Sequence, residues 1–234
     1  MVKEQVVKLN NLLKNQNYIT DYKFGAIPEG VFLCQKITCQ NFKKMKLMEN
    51  LESLFQSFET GIRSAKAEKP KEYLKSIGLD YNELRIGFNS GQFHHNKSQE
   101  FKDEFEALGM LKKSDAGVRE ETMTAYTVFG SYGLIFPLVD KENRIVNYFA
   151  LRFKLETTKE EYLNSEGIYP AYPPPLTKRL YIAPTVIDCA SLIQSKTLEN
   201  REAIITLQNG ELLSQHLEAI KTLYELEEII IIKR

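Results

Sequence analysis

The chain has 234 residues, room for one large domain or two small ones. Lysine plus arginine and aspartate plus glutamate both total 31, so the net charge is zero. That argues against a protein that coats nucleic acid over its whole surface, and leaves room for a local basic groove. Cys34, Cys39 and Cys189 make no disulfide framework, and the charged N-terminus does not resemble a signal peptide. Apolar runs such as Ile229 to Ile232 are far too short to span a membrane, so a reduced, cytoplasmic protein is expected.

Residues 2–16 fit an amphipathic helix, with Val6, Leu9, Leu12 and Leu13 on one face and lysines on the other. Residues 18–40 read as β-like. A second helix is expected from Lys44 to Ala65, carrying Leu47, Leu51, Leu54, Phe55 and Phe58 on one side. The polar stretch around Pro70 marks a boundary, giving segments 1–68, 69–177 and 178–234. Further helices are expected at 71–80 and 97–108, with the short strand LRIGF between them and a polar loop at 113–123. From 125 to 153 come three runs rich in β-branched and aromatic residues. The last two are separated by the turn DKEN and should pair as a hairpin. Prolines 170, 173, 174 and 175 forbid regular structure within 155–177. The remainder reads β-α-β-α-β: Leu180–Ile182, a helix from Val186, AIITL at 203–207, a helix over 211–226, and EEIIII. This is a small parallel layer, which makes the whole chain α/β. Ligands of such layers bind outside the carboxyl ends of the strands, here at Ala183-Pro184-Thr185 with Asp188 one turn on.

Several side chains invite chemistry and also have ordinary structural roles. Cys34 and Cys39 have half the ligands of a zinc ribbon, and no further cysteine lies before position 189. Adjacent His94 and His95 do not naturally converge on one ion and suit a loop. Arg152, near the end of a strand, fits either a surface ion pair or a phosphate contact. Tyr169 and Tyr172 suit loop packing or base stacking. Asp188 lies where a carboxylate favours a helix N-terminus without any metal.

Four stretches resemble the bacterial-type DNA primases, most closely their shorter relatives on mobile elements. EYLKSIGLDYNELRIGFNSG (72–91) is similar to the opening of that family's core. YGLIFPLVDKENRIVNYFALRF (132–153) is similar to its "IxFPixdxxGrixgfxxR" hairpin, placing Arg152 on the family arginine. EYLNSEGIYP (161–170) is similar to its "YLNS" segment, and RLYIAPTVIDCASLIQ (179–194) to the Toprim opening "lxitEgxiDaxsl". The resemblance implies an α+β primase-core-like part followed by a truncated Toprim-like layer. It also implies a nucleic-acid-binding set of Arg152, Lys154, Asn164 and Ser165.

The departures fall on the metal site. Toprim chemistry uses a glutamate and a later DxD pair to hold divalent metal. The glutamate position falls on Pro184 and the first DxD position on Lys233, while the helix aspartate of the Toprim opening is matched by Asp188. Residues 1–68 keep Cys34 and Cys39 as a vestige of a zinc ribbon. No cofactor is therefore expected, Mg²⁺ or Zn²⁺ entering only if these vestigial sites are rescued. Three functions follow. One is a primase-like, nucleic-acid-associated protein of DNA replication or mobile-element maintenance without its own metal-dependent catalysis. Its partners would be single-stranded DNA and a replication or mobile-element protein. The second is an active primase, or a fragment of one, borrowing carboxylates such as Glu211, Asp140 or a partner chain's. The third is a protein–protein interaction module, with the Ile229–Ile232 strand as an open edge.

Overall fold

A computed structural model of the chain describes residues 39–114, 125–154 and 157–233. Contacts divide the chain into one unit over residues 1–43 and a second over 44–234. Of the first, the described part is the beginning of helix α1 (Cys39–Gly61). The expected helix over 2–16, most of the β-like segment and Cys34 lie outside the described residues, as do most of the 113–123 loop and the side chains of Cys39 and Lys154. Cys39 and Gln40 open a helix rather than close a strand.

Helix α1 ends at Gly61 instead of Ala65, because that glycine abuts strand β1 (Gly87–Asn89). A Cβ on Gly61 would lie 2.7 Å from the Phe88 carbonyl oxygen, and one on Gly87 would lie 2.5 Å from the Phe58 Cβ. Two glycines thus let helix and strand touch backbone to backbone. A 3₁₀ turn leads into helix α2 (Glu68–Ser76), which stops where Gly78 takes a φ of +74°. Helix α3 (Gln99–Ala107) starts on Ser98, whose side chain accepts the Phe101 N–H.

Two strands were not foreseen. Leu111–Lys113 forms β2 at the edge of the expected polar loop and pairs antiparallel with β3 (Tyr126–Val128). Thr157–Tyr162 forms β6 inside the stretch whose prolines suggested no regular structure. The prolines act further on, from 170. β6 is polar because it is an outer strand with little to bury.

Strands β1, β4 (Gly133–Val139), β5 (Ile145–Lys154) and β6 make one antiparallel sheet in that order. The β4–β5 hairpin turns through Asp140-Lys141-Glu142-Asn143 as expected. The Asp140 carboxylate accepts the Glu142 and Arg144 N–H groups, and Asn143 sits at a φ of 62°. Every residue of β4 is buried, so it reads as a continuous apolar run rather than an alternation. Leu134, Phe136, Leu138, Phe149 and Leu151 face one core, shared with Ala183, Val186, Cys189 and Ile204. Ile135, Tyr148 and Ala150 face the other, shared with Leu51, Phe55, Phe58, Phe105 and Val128. Tyr148 is fully buried there, and its hydroxyl donates to the Leu51 carbonyl.

The C-terminal layer is a three-stranded parallel sheet in the order β8-β7-β9. Its strands are β7 (Arg179–Ala183), β8 (Glu202–Thr206) and β9 (Glu228–Ile231), crossed over by α4 (Val186–Ser195) and α5 (Ser214–Lys221). The expected helix over 211–226 is therefore shorter. The expected segment boundaries at 68/69 and 177/178 both fall inside the 44–234 unit.

Candidate nucleic-acid interface

The carboxyl end of β7 is the first place to look for chemistry. β7 is central, and Ile182 pairs with Ile231 of β9. The Ile232 N–H donates to the Ile182 carbonyl at 2.9 Å, which brings Lys233 alongside Pro184. Pro184, Asp188 and Lys233 thus share one edge of the layer. Thr185 caps helix α4: its side-chain oxygen accepts the Asp188 N–H at 3.2 Å, and its hydroxyl donates to the Asp188 carboxylate at 2.5 Å. Asp188 serves the helix terminus. Among the described residues, no group of three or more His, Cys, Asp or Glu side chains is placed to hold a metal ion. Glu211 lies in a bridge with Gln208, and Asp140 in the β4–β5 turn paired with Arg144.

Cationic and aromatic side chains gather instead at the far end of the antiparallel sheet. A cleft of about 820 Å³ is lined there by Arg152, Lys102, His94, His95, Tyr126 and Ser131, with Gly91 and Asn96 at its loop. Asn89, fully buried at the end of β1, ties its walls together. Its side-chain amide donates to the Phe129 carbonyl, and its side-chain oxygen accepts the Gly91 N–H, each at 2.8 Å. Gly91 has a φ of +80°, and a Cβ there would lie 2.3 Å from the Ser131 hydroxyl. The positive φ, with the Ser131 side chain packed close, favours glycine here.

Arg152 projects from the end of β5 with its side chain 22% exposed. Its Nε donates to the Ser131 carbonyl at 3.2 Å, and its Nη1 lies 3.6 Å from Glu161. Glu161 also accepts the Gly130 N–H at 2.9 Å and lies 3.4 Å from Lys159, so it is shared among three donors. None of the described residues lining the cleft is acidic. His94 is buried, ring-on-edge with Phe93, His95 and Tyr126, and its Nδ1 has no hydrogen-bond partner among the described residues. Burial, helped by His95 and Lys102, holds His94 below the ordinary histidine range. The histidine pair lies in a turn, as its sequence suggested, with His95 exposed and His94 buried in the cleft wall.

Asn164 and Ser165 lie elsewhere. The Asn164 amide donates to the Val146 carbonyl and its backbone N–H to the Asn147 side chain, while the Ser165 carbonyl accepts from Gln215. Asn147 and Arg152 are five residues apart on β5, about 16 Å at strand spacing. Arg152 is thus separated from the YLNS loop, which is fastened to the parallel layer by Gln208 and Gln215. Lys154 continues β5 beyond Arg152. Tyr169 is buried against Phe136 and serves packing, and Tyr172 is partly buried.

No protein-family model and no curated protein matches this chain in sequence. Solved structures do match. The DnaG primase catalytic domain bound to ssDNA superposes with a TM-score of 0.63 at 16% identity, covering 81% of this chain and 61% of that one. This is the fold of a primase catalytic core. A DNA primase domain from Pseudomonas aeruginosa matches with a TM-score of 0.64 at 14% identity, over 79% of this chain and 60% of its own. The RNA polymerase domain of Mycobacterium tuberculosis primase DnaG in complex with double-stranded DNA matches with a TM-score of 0.63 at 12% identity, over 80% and 63%. The chain spans about 60% of the length of these primase structures.

Proposed function

We propose that the chain is a primase-like, nucleic-acid-associated protein that holds a single strand in the cleft around Arg152. One observation carries this. A cleft of about 820 Å³ presents Arg152, Lys102 and two histidines with an aromatic ring, and no acidic side chain among its described lining. Cations neutralise phosphates and release counterions, and aromatic surface accepts bases. The net charge of zero is compatible, because the positive charge is local. The likeness of fold to primase catalytic cores supports this reading, and a part in DNA replication or mobile-element maintenance belongs to the proposal.

The parallel layer is, in this account, a Toprim-like scaffold without its own metal-dependent nucleotidyl transfer. Pro184 offers no ligand and Lys233 repels a cation where carboxylates would be needed. Lys154, Asn164 and Ser165 then have unequal parts. Lys154, two residues beyond Arg152 on β5, is read as a further nucleic-acid contact. Asn164 and Ser165 fasten the YLNS loop to the layer and contact a strand only if it runs past the Arg152 end of the sheet.

Fluorescence anisotropy with a labelled oligo(dT) at low salt tests the proposal. The protein binds, Arg152→Ala binds more weakly, and neither makes primers with Mg²⁺ or Mn²⁺. Failure of the unmodified protein to bind sinks it. A second reading, a protein–protein interaction module, is favoured by strand β9. It is an outer strand whose Ile230 and Ile231, like Ile232 just beyond it, are only partly buried, with Tyr224 72% exposed nearby in sequence.

A further inference from the structure

Tyr132 is a large aromatic side chain left 55% exposed, on backbone with a φ of 55°. That left-handed conformation is uncommon for bulky residues, because the Cβ crowds the following carbonyl. Six non-glycine residues with positive φ occur among the described residues. Three are asparagine, the type that tolerates the region best, and Tyr132 is the one aromatic. Its backbone is held from both sides. The Tyr132 N–H donates to the Asn89 carbonyl at 2.8 Å, and the Tyr132 carbonyl accepts the Phe153 N–H at 3.3 Å. Both bonds are made by the backbone and neither involves the ring. Glycine or asparagine would meet the same hydrogen bonds with less strain, and an exposed ring contributes little burial.

The location suggests what the ring is for. Ser131, the preceding residue, lines the cleft and receives the Arg152 guanidinium. Gly133, the following residue, is the register partner of Arg152 across the β4–β5 pair. Tyr132 therefore stands between two residues tied to the main cation of the cleft. Tyr126, inside the cleft, is already engaged by Gln99, by the Lys102 ammonium and by His94. A strand whose phosphates lie along Arg152 and Lys102 has its bases directed away from those cations, free to reach an exposed ring beside the cleft.

We infer that Tyr132 is a stacking platform for a base of the bound single strand. This rests on the nucleic-acid function proposed above and adds the contact that recognises bases rather than phosphates. Every base has a π-face, so the platform tolerates any sequence, and it distinguishes a strand with bases from a bare polyanion.

The test compares a labelled oligo(dT) with an abasic oligomer of the same length. Tyr132→Ala weakens binding of oligo(dT) about tenfold and leaves the abasic oligomer unaffected. Its salt dependence is unchanged, because no phosphate contact is lost. Tyr132→Phe binds like the unmodified protein. Tyr132→Asn suits the backbone and controls for misfolding: it melts no lower than the parent and loses the same tenfold. The sequence contains no tryptophan, so Tyr132→Trp adds a single reporter whose emission is quenched on binding. Unchanged oligo(dT) affinity in both Tyr132→Ala and Tyr132→Asn overturns the stacking role while leaving nucleic-acid binding in place. Absence of binding by the unmodified protein overturns both.

Discussion

The backbone carbonyl of Asn89 accepts the N–H of Tyr132 at 2.8 Å, while the Asn89 side chain bridges Gly91 and Phe129. One fully buried polar residue thus fixes both walls of the cleft and the backbone of Tyr132, which follows the cleft residue Ser131. Asn89→Ala leaves the Gly91 N–H and the Phe129 carbonyl without that partner. A loss of about 2–3 kcal/mol in denaturant unfolding is expected, with weakened oligonucleotide binding in whatever remains folded. Full stability in the variant would mean that the bridge is dispensable.

Gly87 permits the contact between β1 and α1. A methyl group there would meet the Phe58 Cβ at 2.5 Å and the Phe58 carbonyl carbon at 2.9 Å, and backbone cannot move aside cheaply. Gly87→Ala is expected to destabilise by roughly 1–3 kcal/mol. Gly78→Ala, with nothing within 4 Å but a φ of +74°, should suffer only from its backbone conformation. Equal losses at the two sites would contradict the steric account.

Two histidines predict acid sensitivity. His94 and His216 are both held below the ordinary histidine range, in each case chiefly by burial, which at His216 outweighs its bonds to Thr206 and Leu213. A group with a depressed folded-state value binds its proton more tightly in the unfolded chain. Stability is therefore steady above about pH 7 and declines as pH falls through roughly 6.5, the unfolded value. Thermal midpoints between pH 8 and 5.5 should show this decline, and His216→Gln should reduce it. A midpoint that rises on acidification would reverse the assignment.

At the β7 edge, Asp188 works with Thr185 as a helix terminus. Thr185→Ala should lower stability by about 1 kcal/mol. Millimolar Mg²⁺ should leave the melting temperature of the parent and of Asp188→Asn equally unchanged. A Mg²⁺-dependent rise that Asp188→Asn abolishes would restore a metal site to this corner.

Local patterns made much of the scaffold legible. Asp140 to Asn143 announced the β4–β5 turn through turn chemistry, and Pro184 and Thr185 marked the β7-to-α4 crossing. Strand β6 was not legible. Thr157–Tyr162 is polar because it lies at the sheet edge, so neither a continuous apolar run nor an alternation betrays it. The cleft was legible only at Arg152. Lys102 comes from a helix, His94 from a loop and Tyr126 from a hairpin, and only the tertiary fold brings them together. Asn164 and Ser165 were grouped with Arg152 by resemblance of motifs, whereas Asn164 is bound to Val146 and Asn147, and Asn147 lies about 16 Å along β5 from Arg152. Tyr132 carried no sequence signal, since its left-handed backbone arises from pairing on both sides.

The most direct measurement is the salt dependence of oligo(dT) binding by the unmodified protein and by Arg152→Ala. If Arg152 and Lys102 each meet a phosphate, log K falls with log salt at a slope of about −1.4, and the variant's slope is shallower by about 0.7. Absence of binding at low salt, or identical slopes for the two proteins, would contradict a single strand held at Arg152.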